Sequence, residues 1–178
     1  MRPPSTDLIA APGYAPTVGA LVAMLDYTRA TTLSAVADLT VTQLDHQHDA
    51  TANPIGALLG HIAAIEWSYV AFTLEGGVSA AQEFAQWGLF LRLGDGARAA
   101  AKGRSFEEHA ARLAAVRERT LAGLRAVDDA WLAARPSLPW IRGPVTNLWA
   151  WYHVMEDELS HRGQIRWLRS RLSSNDAA

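Results

Sequence analysis

The sequence predicts an all-α protein, a four-helix bundle with one short extra helix, and three observations carry that expectation. Apolar residues recur at steps of three and four along four long segments. Every proline lies in a gap between those segments or at the start of one. Nothing alternates with period two for long, so no strand is expected. The chain has 178 residues, 49% of them apolar, which suits one domain with a substantial core.

The elements follow in order. Residues 1–16 read as a loose arm, because Pro3, Pro4, Pro12 and Pro16 interrupt regular structure. Residues 17–172 make the bundle, and 173–178 a loose tail. The first helix spans 17–39, with Leu21, Met24, Leu25, Thr28, Thr32, Val36 and Leu39 as its inner stripe. Residues 40–52 are polar and irregular. Asn53-Pro54 predicts the second helix, with asparagine as the cap and proline in the first position. It runs to Leu74 and stops at Gly76-Gly77. Residues 80–93 form the short extra helix, closed by Gly94-Asp95-Gly96. Ser105 and Glu108 make a capping box, and the third long helix continues from it to about Val127. Pro136, Pro139 and Pro144 keep 128–144 a connection, and the last helix covers about 145–172. Connections of such uneven length still fit a bundle.

Bulk properties exclude several functions. The net charge is −2, so no basic face for nucleic acid is expected. Arg162, Arg166, Arg169 and Arg171 read as a cationic last turn favoured by the helix dipole. With no cysteine there is no disulfide, thiolate ligand or cysteine nucleophile. No run of about 18 apolar residues predicts a membrane span. The N-terminus lacks a signal peptide's basic start and apolar run, so a cytoplasmic protein without a membrane partner is expected.

Polar groups stand where apolar ones belong. The stripe of the last helix reads Ala150, Val154, Asp157, His161, Ile165, Leu168, Leu172. A buried carboxylate without a partner is costly. Asp157 and His161, four apart, share one helix face at a Cβ spacing of about 6 Å. The second helix has the same anomaly, with His61 inside the stripe Leu58, His61, Ile65, Tyr69, Phe72. Two facing helices that carry these residues make a three-ligand site with open positions. Two imidazoles and one carboxylate suit zinc, nickel, iron or manganese. The bland alternatives are a hydrogen-bonded core histidine and a structural Asp–His pair.

The remaining candidates are weaker. His46 and His48 read as solvated loop residues, and His109 as exposed beside charge. His153, one turn before Asp157, reads as a ligand, an outer partner or a proton shuttle. Glu158 and Glu66 are candidate bases or outer partners. Their plain alternatives are a Glu158–Arg162 helix pair and a polar face for Glu66. The seven tryptophans fill the core, with Trp140, Trp149 and Trp151 as candidates to wall a pocket mouth.

Two stretches resemble the DinB/YfiT-like superfamily of metalloenzymes. Asn53-Pro54-Ile55-Gly56-Ala57-Leu58-Leu59-Gly60-His61-Ile62, followed by Glu66-Trp67, looks like that family's first histidine motif. Thr146-Asn147-Leu148-Trp149 and then His153 through His161-Arg162-Gly163-Gln164 look like its closing motif. The resemblance implies an up-down-down-up bundle, often a homodimer, with zinc or nickel on three histidines. His61 matches the first ligand and His161 the last. Asp157 stands where the middle histidine is usual, which makes the implied site His₂Asp. The resemblance further implies a metal-dependent thiol S-transferase or hydrolase acting on a small molecule, with a low-molecular-weight thiol as one partner. The alternative is a non-catalytic metal-binding or stress-response dimer.

Overall fold

Eight helices and no strand make up the described residues of the computed structural model, which are 6–77 and 81–172. Four helices are long: α1 (Pro16–Ser34), α3 (Ile55–Thr73), α6 (Phe106–Arg125) and α8 (Asn147–Arg169). Four are short: α2 (Val41–Asp45), α4 (Ala81–Arg92), α5 (Asp95–Ala101) and α7 (Asp129–Ala133). The all-α expectation holds, but one short extra helix becomes four. The tail at 173–178 lies outside the described residues.

Local chemistry explains the elements that periodicity missed. α2 lies in the stretch read as irregular and carries its own capping box between Thr40 and Gln43. α7 starts at Asp128, whose carboxylate accepts from Trp131 N. Asp129 on α7 then caps another helix. Its carboxylate accepts from Thr17 N at 2.9 Å and Val18 N at 3.0 Å, serving a start of α1 that has no side-chain cap of its own. The expected box at Ser105 and Glu108 is present and opens α6. The cap expected at Asn53 is not. Pro54 occupies the N-cap, and the Asn53 side chain instead accepts from Gly94 N at 3.0 Å, tying α3's entry to the turn after α4. α1 ends five residues early, yet Val36 and Leu39 still reach the core from the turn that follows.

Interhelical pairs fix the packing. Residue numbers climb together on α1 and α8, from Arg29–Glu158 through Thr31–Arg162 to Ala35–Arg169. They climb together on α3 and α6, where Glu66 meets Arg117 and Leu74 meets Gly123. On α3 and α8 they run in opposite senses, with His61 against Asp157 and Thr73 against Trp151. α3 is the central element and packs on both α6 and α8. By length and composition α3 could cross a membrane, but 89% of its most apolar window is buried inside the fold. Its apolar surface is consumed by the core.

A charged cluster sits at the centre, with contributions from all four long helices. Arg29 (α1) donates from Nε and Nη2 to the Glu158 carboxylate (α8) at 2.9 and 3.0 Å. The same Nη2 reaches Glu66 (α3) at 2.6 Å, and Nη1 reaches the Leu113 carbonyl (α6) at 3.1 Å. Arg117 (α6) donates from Nε to Glu66 at 2.7 Å and from Nη1 to Asp26 at 2.9 Å. Thr120 adds a 2.6 Å bond to Glu66. Burying such charges is tolerable only when nearly every donor and acceptor is matched, as here.

Candidate metal centre

The sequence placed His61, Asp157 and His161 on facing stripes, and the structure brings them together. His61 Nε2 lies 3.6 Å from Asp157 Oδ1, and His161 Nε2 lies 3.4 Å from the same oxygen. The two imidazoles meet edge to face with centroids 4.7 Å apart. One ligand atom from each residue lies within 4.8 Å of the others. Among the described residues no further histidine or carboxylate joins this group.

A hydrogen bond on the far side of the ring settles the tautomer of His61, and His161 has a partner in the same position. His61 Nδ1 is 2.7 Å from the Phe90 carbonyl, which only accepts, so Nδ1 carries the proton. His161 Nδ1 faces Gln164 Oε1 at 3.1 Å, one turn further along α8. Both Nε2 atoms then turn inward, each with a lone pair when its ring is neutral. Outer partners of this kind raise ligand basicity and hold ring orientation.

The Phe90 carbonyl reaches His61 because the preceding residue on α3 is glycine. A Cβ on Gly60 would stand 2.3 Å from the Phe90 ring, far inside contact distance. The ring packs against α3 at that point, with the Arg112 guanidinium 4.8 Å from its centroid.

Electrostatics favour an ionised Asp157. Burial pushes its pKa up, but His161 and His61, which when protonated donate to the carboxylate from Nε2 and carry positive charge beside it, outweigh burial and hold the carboxyl well below the usual range. His161 shows the complement: burial lowers its pKa, but Asp157 outweighs that and raises it. Asp157 Oδ2 is buried with no hydrogen-bond partner. An orphaned, ionised oxygen beside two inward Nε2 lone pairs is a donor set missing its acceptor, and a divalent cation supplies one.

The other candidates are placed elsewhere. Glu66 is fully buried; burial would raise its pKa, yet Arg117 and Arg29 bring it down to about 2. Glu158 is held by Arg29 rather than by Arg162, whose guanidinium donates to Thr31 instead. Both carboxylates belong to the central ion cluster. His153 stacks on Trp149 with centroids 5.2 Å apart and places Nδ1 3.3 Å from Glu156. His48 is exposed, its ring edge-on to Trp167. His109, expected exposed, is only 2% exposed and lies beneath Gly56. Of the three tryptophans expected at a pocket mouth, Trp151 is buried in the core, while Trp140 and Trp149 are partly exposed.

A cleft of about 870 Å³ opens on the same helices that carry the three-residue group. Trp67, Tyr69, Phe72, Phe84, Leu89 and Trp140 form much of its wall, with His153 and Arg92 among the polar lining. The group itself is not in the lining, but residues near it in sequence are. Ile65 in the wall is one turn beyond His61, His153 one turn before Asp157, and Leu91 adjoins Phe90. Sequence reasoning missed Arg29, Arg117, Phe90 and Gln164. Arginines at core-facing positions of α1 and α6 were the available signal for the first two. A backbone carbonyl leaves none.

Comparisons with known proteins show the family and the fold. The family model described as the DinB superfamily matches residues 24–165, a span that includes all three residues of the group. A solved structure, described as the crystal structure of the conserved protein of locus from Enterococcus faecalis, is similar in fold. It is 18% identical, with a TM-score of 0.65, over 84% of this chain and 92% of that one. No curated protein matches the chain.

Proposed function

Because the chain belongs to the DinB superfamily, we propose that it is a divalent-metal-dependent enzyme whose ion is held by His61, Asp157 and His161. The observation that carries this is the unpartnered Asp157 Oδ2 between two imidazoles whose outer nitrogens are already engaged. Zinc and nickel fit the nitrogen-rich donor set best, and iron or manganese fit it next. Such an ion supplies Lewis acidity that activates a small nucleophile near neutral pH. Three protein ligands leave room for that nucleophile.

The chain's own residues do the rest. Phe90 and Gln164 orient the two imidazoles, and the cleft takes the small-molecule substrate and excludes water from it. His153 lines the cleft one turn from Asp157 and is the group we assign to proton transfer. Glu66 and Glu158, both engaged by arginine, hold the bundle together in this reading rather than exchange protons. The reaction class is thiol S-transfer or hydrolysis on a small molecule, with a low-molecular-weight thiol as the transfer partner. A closed structural site, the basis of a non-catalytic metal-binding dimer, needs a fourth ligand. His153, the residue suited to it, is stacked on Trp149 instead.

Elemental analysis of the untagged protein beside Asp157→Ala tests the reading. About one tightly held ion per chain, lost in the variant, is the expected result. An ion-free wild type after reloading with zinc, nickel, iron and manganese overturns it. Turnover in thiol-consumption or ester-hydrolysis assays that survives chelation overturns the catalytic part alone.

A further inference from the structure

The cleft beside the centre has a chemical character of its own. Phe84 is 53% exposed, Leu89 51% and Trp140 44%, and all three line it. Large apolar side chains left in water and gathered in one concavity mark a ligand site. The wall is mainly apolar and includes Trp67, Tyr69, Phe72, Phe84 and Trp140. Trp67 stacks on Trp87, and Trp140 stands edge-on to Tyr69 and Phe72 at 5.6 and 4.9 Å. Those contacts hold the Trp140 ring in place, so a ligand ring meets a preorganised surface.

One cation is present in this wall. Arg92, in the last turn of α4, lines the cleft and makes no hydrogen bond or ion pair among the described residues. The other arginines near the bundle ends are mostly engaged: Arg98 with Asp95, Arg119 with Glu75, Arg169 with Asp38. A guanidinium at the rim of an apolar pocket, with no carboxylate of its own, matches a ligand carboxylate geometrically and electrically. Tyr69 adds a second polar point, since its hydroxyl oxygen accepts from Trp140 Nε1 at 3.5 Å and its proton remains to be donated.

We infer that the cleft binds an aromatic carboxylic acid, its ring system against Trp140 and Phe84 and its carboxylate on Arg92. As the substrate class of the metal centre this rests on the function proposed above. As a ligand site it stands apart from it, because no metal ligand lines the cleft. The volume of about 870 Å³ leaves room for a fused-ring acid.

Calorimetric titration of the metal-loaded full chain with 2-naphthoate and with its neutral amide tests the assignment. The acid should bind roughly five-fold tighter than the amide, a modest preference because Arg92 is solvent-exposed. Arg92→Met should bring the acid down to the amide and leave the amide unchanged, while Trp140→Ala should weaken both. Equal binding of acid and amide, or an acid preference that survives Arg92→Met, overturns the role of Arg92. Absence of saturable binding by either overturns the site. The titrations are repeated on Asp157→Ala. A preference retained there supports Arg92 whether or not the protein holds metal, and one lost there places the carboxylate on the metal and overturns the inference.

Discussion

The Phe90 carbonyl accepts from His61 Nδ1 at 2.7 Å across 29 residues, and this one bond decides which imidazole nitrogen faces Asp157. It depends on Gly60, since any Cβ there would collide with the Phe90 ring. Gly60→Ala is therefore expected to displace α4 and loosen His61 while leaving all three ligands in the chain. Metal affinity should fall by about ten-fold to a hundred-fold, the usual cost of losing an outer partner. Competition with a chromophoric chelator measures it, and an unchanged affinity would show that Phe90 does not orient the ring.

Asp157 raises the pKa of His161 in the metal-free protein. Replacing it by asparagine removes the charge at nearly constant shape, so the His161 pKa should drop. Imidazole nitrogen shifts followed by NMR across pH 5–8 report this directly, that window being the one in which histidine titrates. The same proton competes with the ion in the wild type, so affinity should weaken as pH falls. A pH-independent affinity over that window argues against coordination by His161.

Glu66 joins Arg29, Arg117 and Thr120, so removing its charge leaves two buried guanidinium groups sharing only Glu158 and the half-exposed Asp26. Glu66→Gln should cost roughly 3 to 5 kcal/mol of stability, as expected for breaking a buried ion pair. Urea unfolding gives the number, and metal content per folded chain should stay at the wild-type level. A loss under about 1 kcal/mol, the level of a surface pair, would mean that the cluster is not structural.

His109 supplies a pH effect of known sign. Burial, followed by Arg112 and Arg104, lowers its pKa to about 4 from 6.5, and neither ring nitrogen has a hydrogen-bond partner among the described residues. The unfolded imidazole takes up a proton below 6.5 and the folded one resists until about 4. Between those values the unfolded chain binds more protons, so stability falls as pH falls. The urea midpoint should drop between pH 7 and 4.5, and His109→Phe should flatten the part of the drop that His109 causes. An equal slope in the variant would assign the loss to other groups.

The four long helices were legible because burial leaves a 3.6-residue period and caps leave fixed spacings, as at Ser105 and Glu108. The short helices α2, α5 and α7 were not. Five or seven residues carry too few turns for a period to emerge, and their stability comes from docking. His61, Asp157 and His161 stood out as polar residues interrupting apolar stripes, an anomaly that needs no coordinates.

Partners were a different matter. His109 looked exposed because its sequence neighbours are charged, whereas burial depends on what packs over it, here α3 at Gly56. Glu158 has Arg162 one turn away on its own helix, yet it turns to Arg29 on α1, 129 residues distant. The sequence by itself determined the four long helices, their inward faces and the three residues able to hold an ion. Only the tertiary structure decided which charges neutralise one another, which carbonyl orients His61 and where the aromatic cleft opens. The physical reason is range. Helix periodicity and capping act within a few residues, whereas ion pairing and burial depend on contacts between segments that the chain brings together only when it folds.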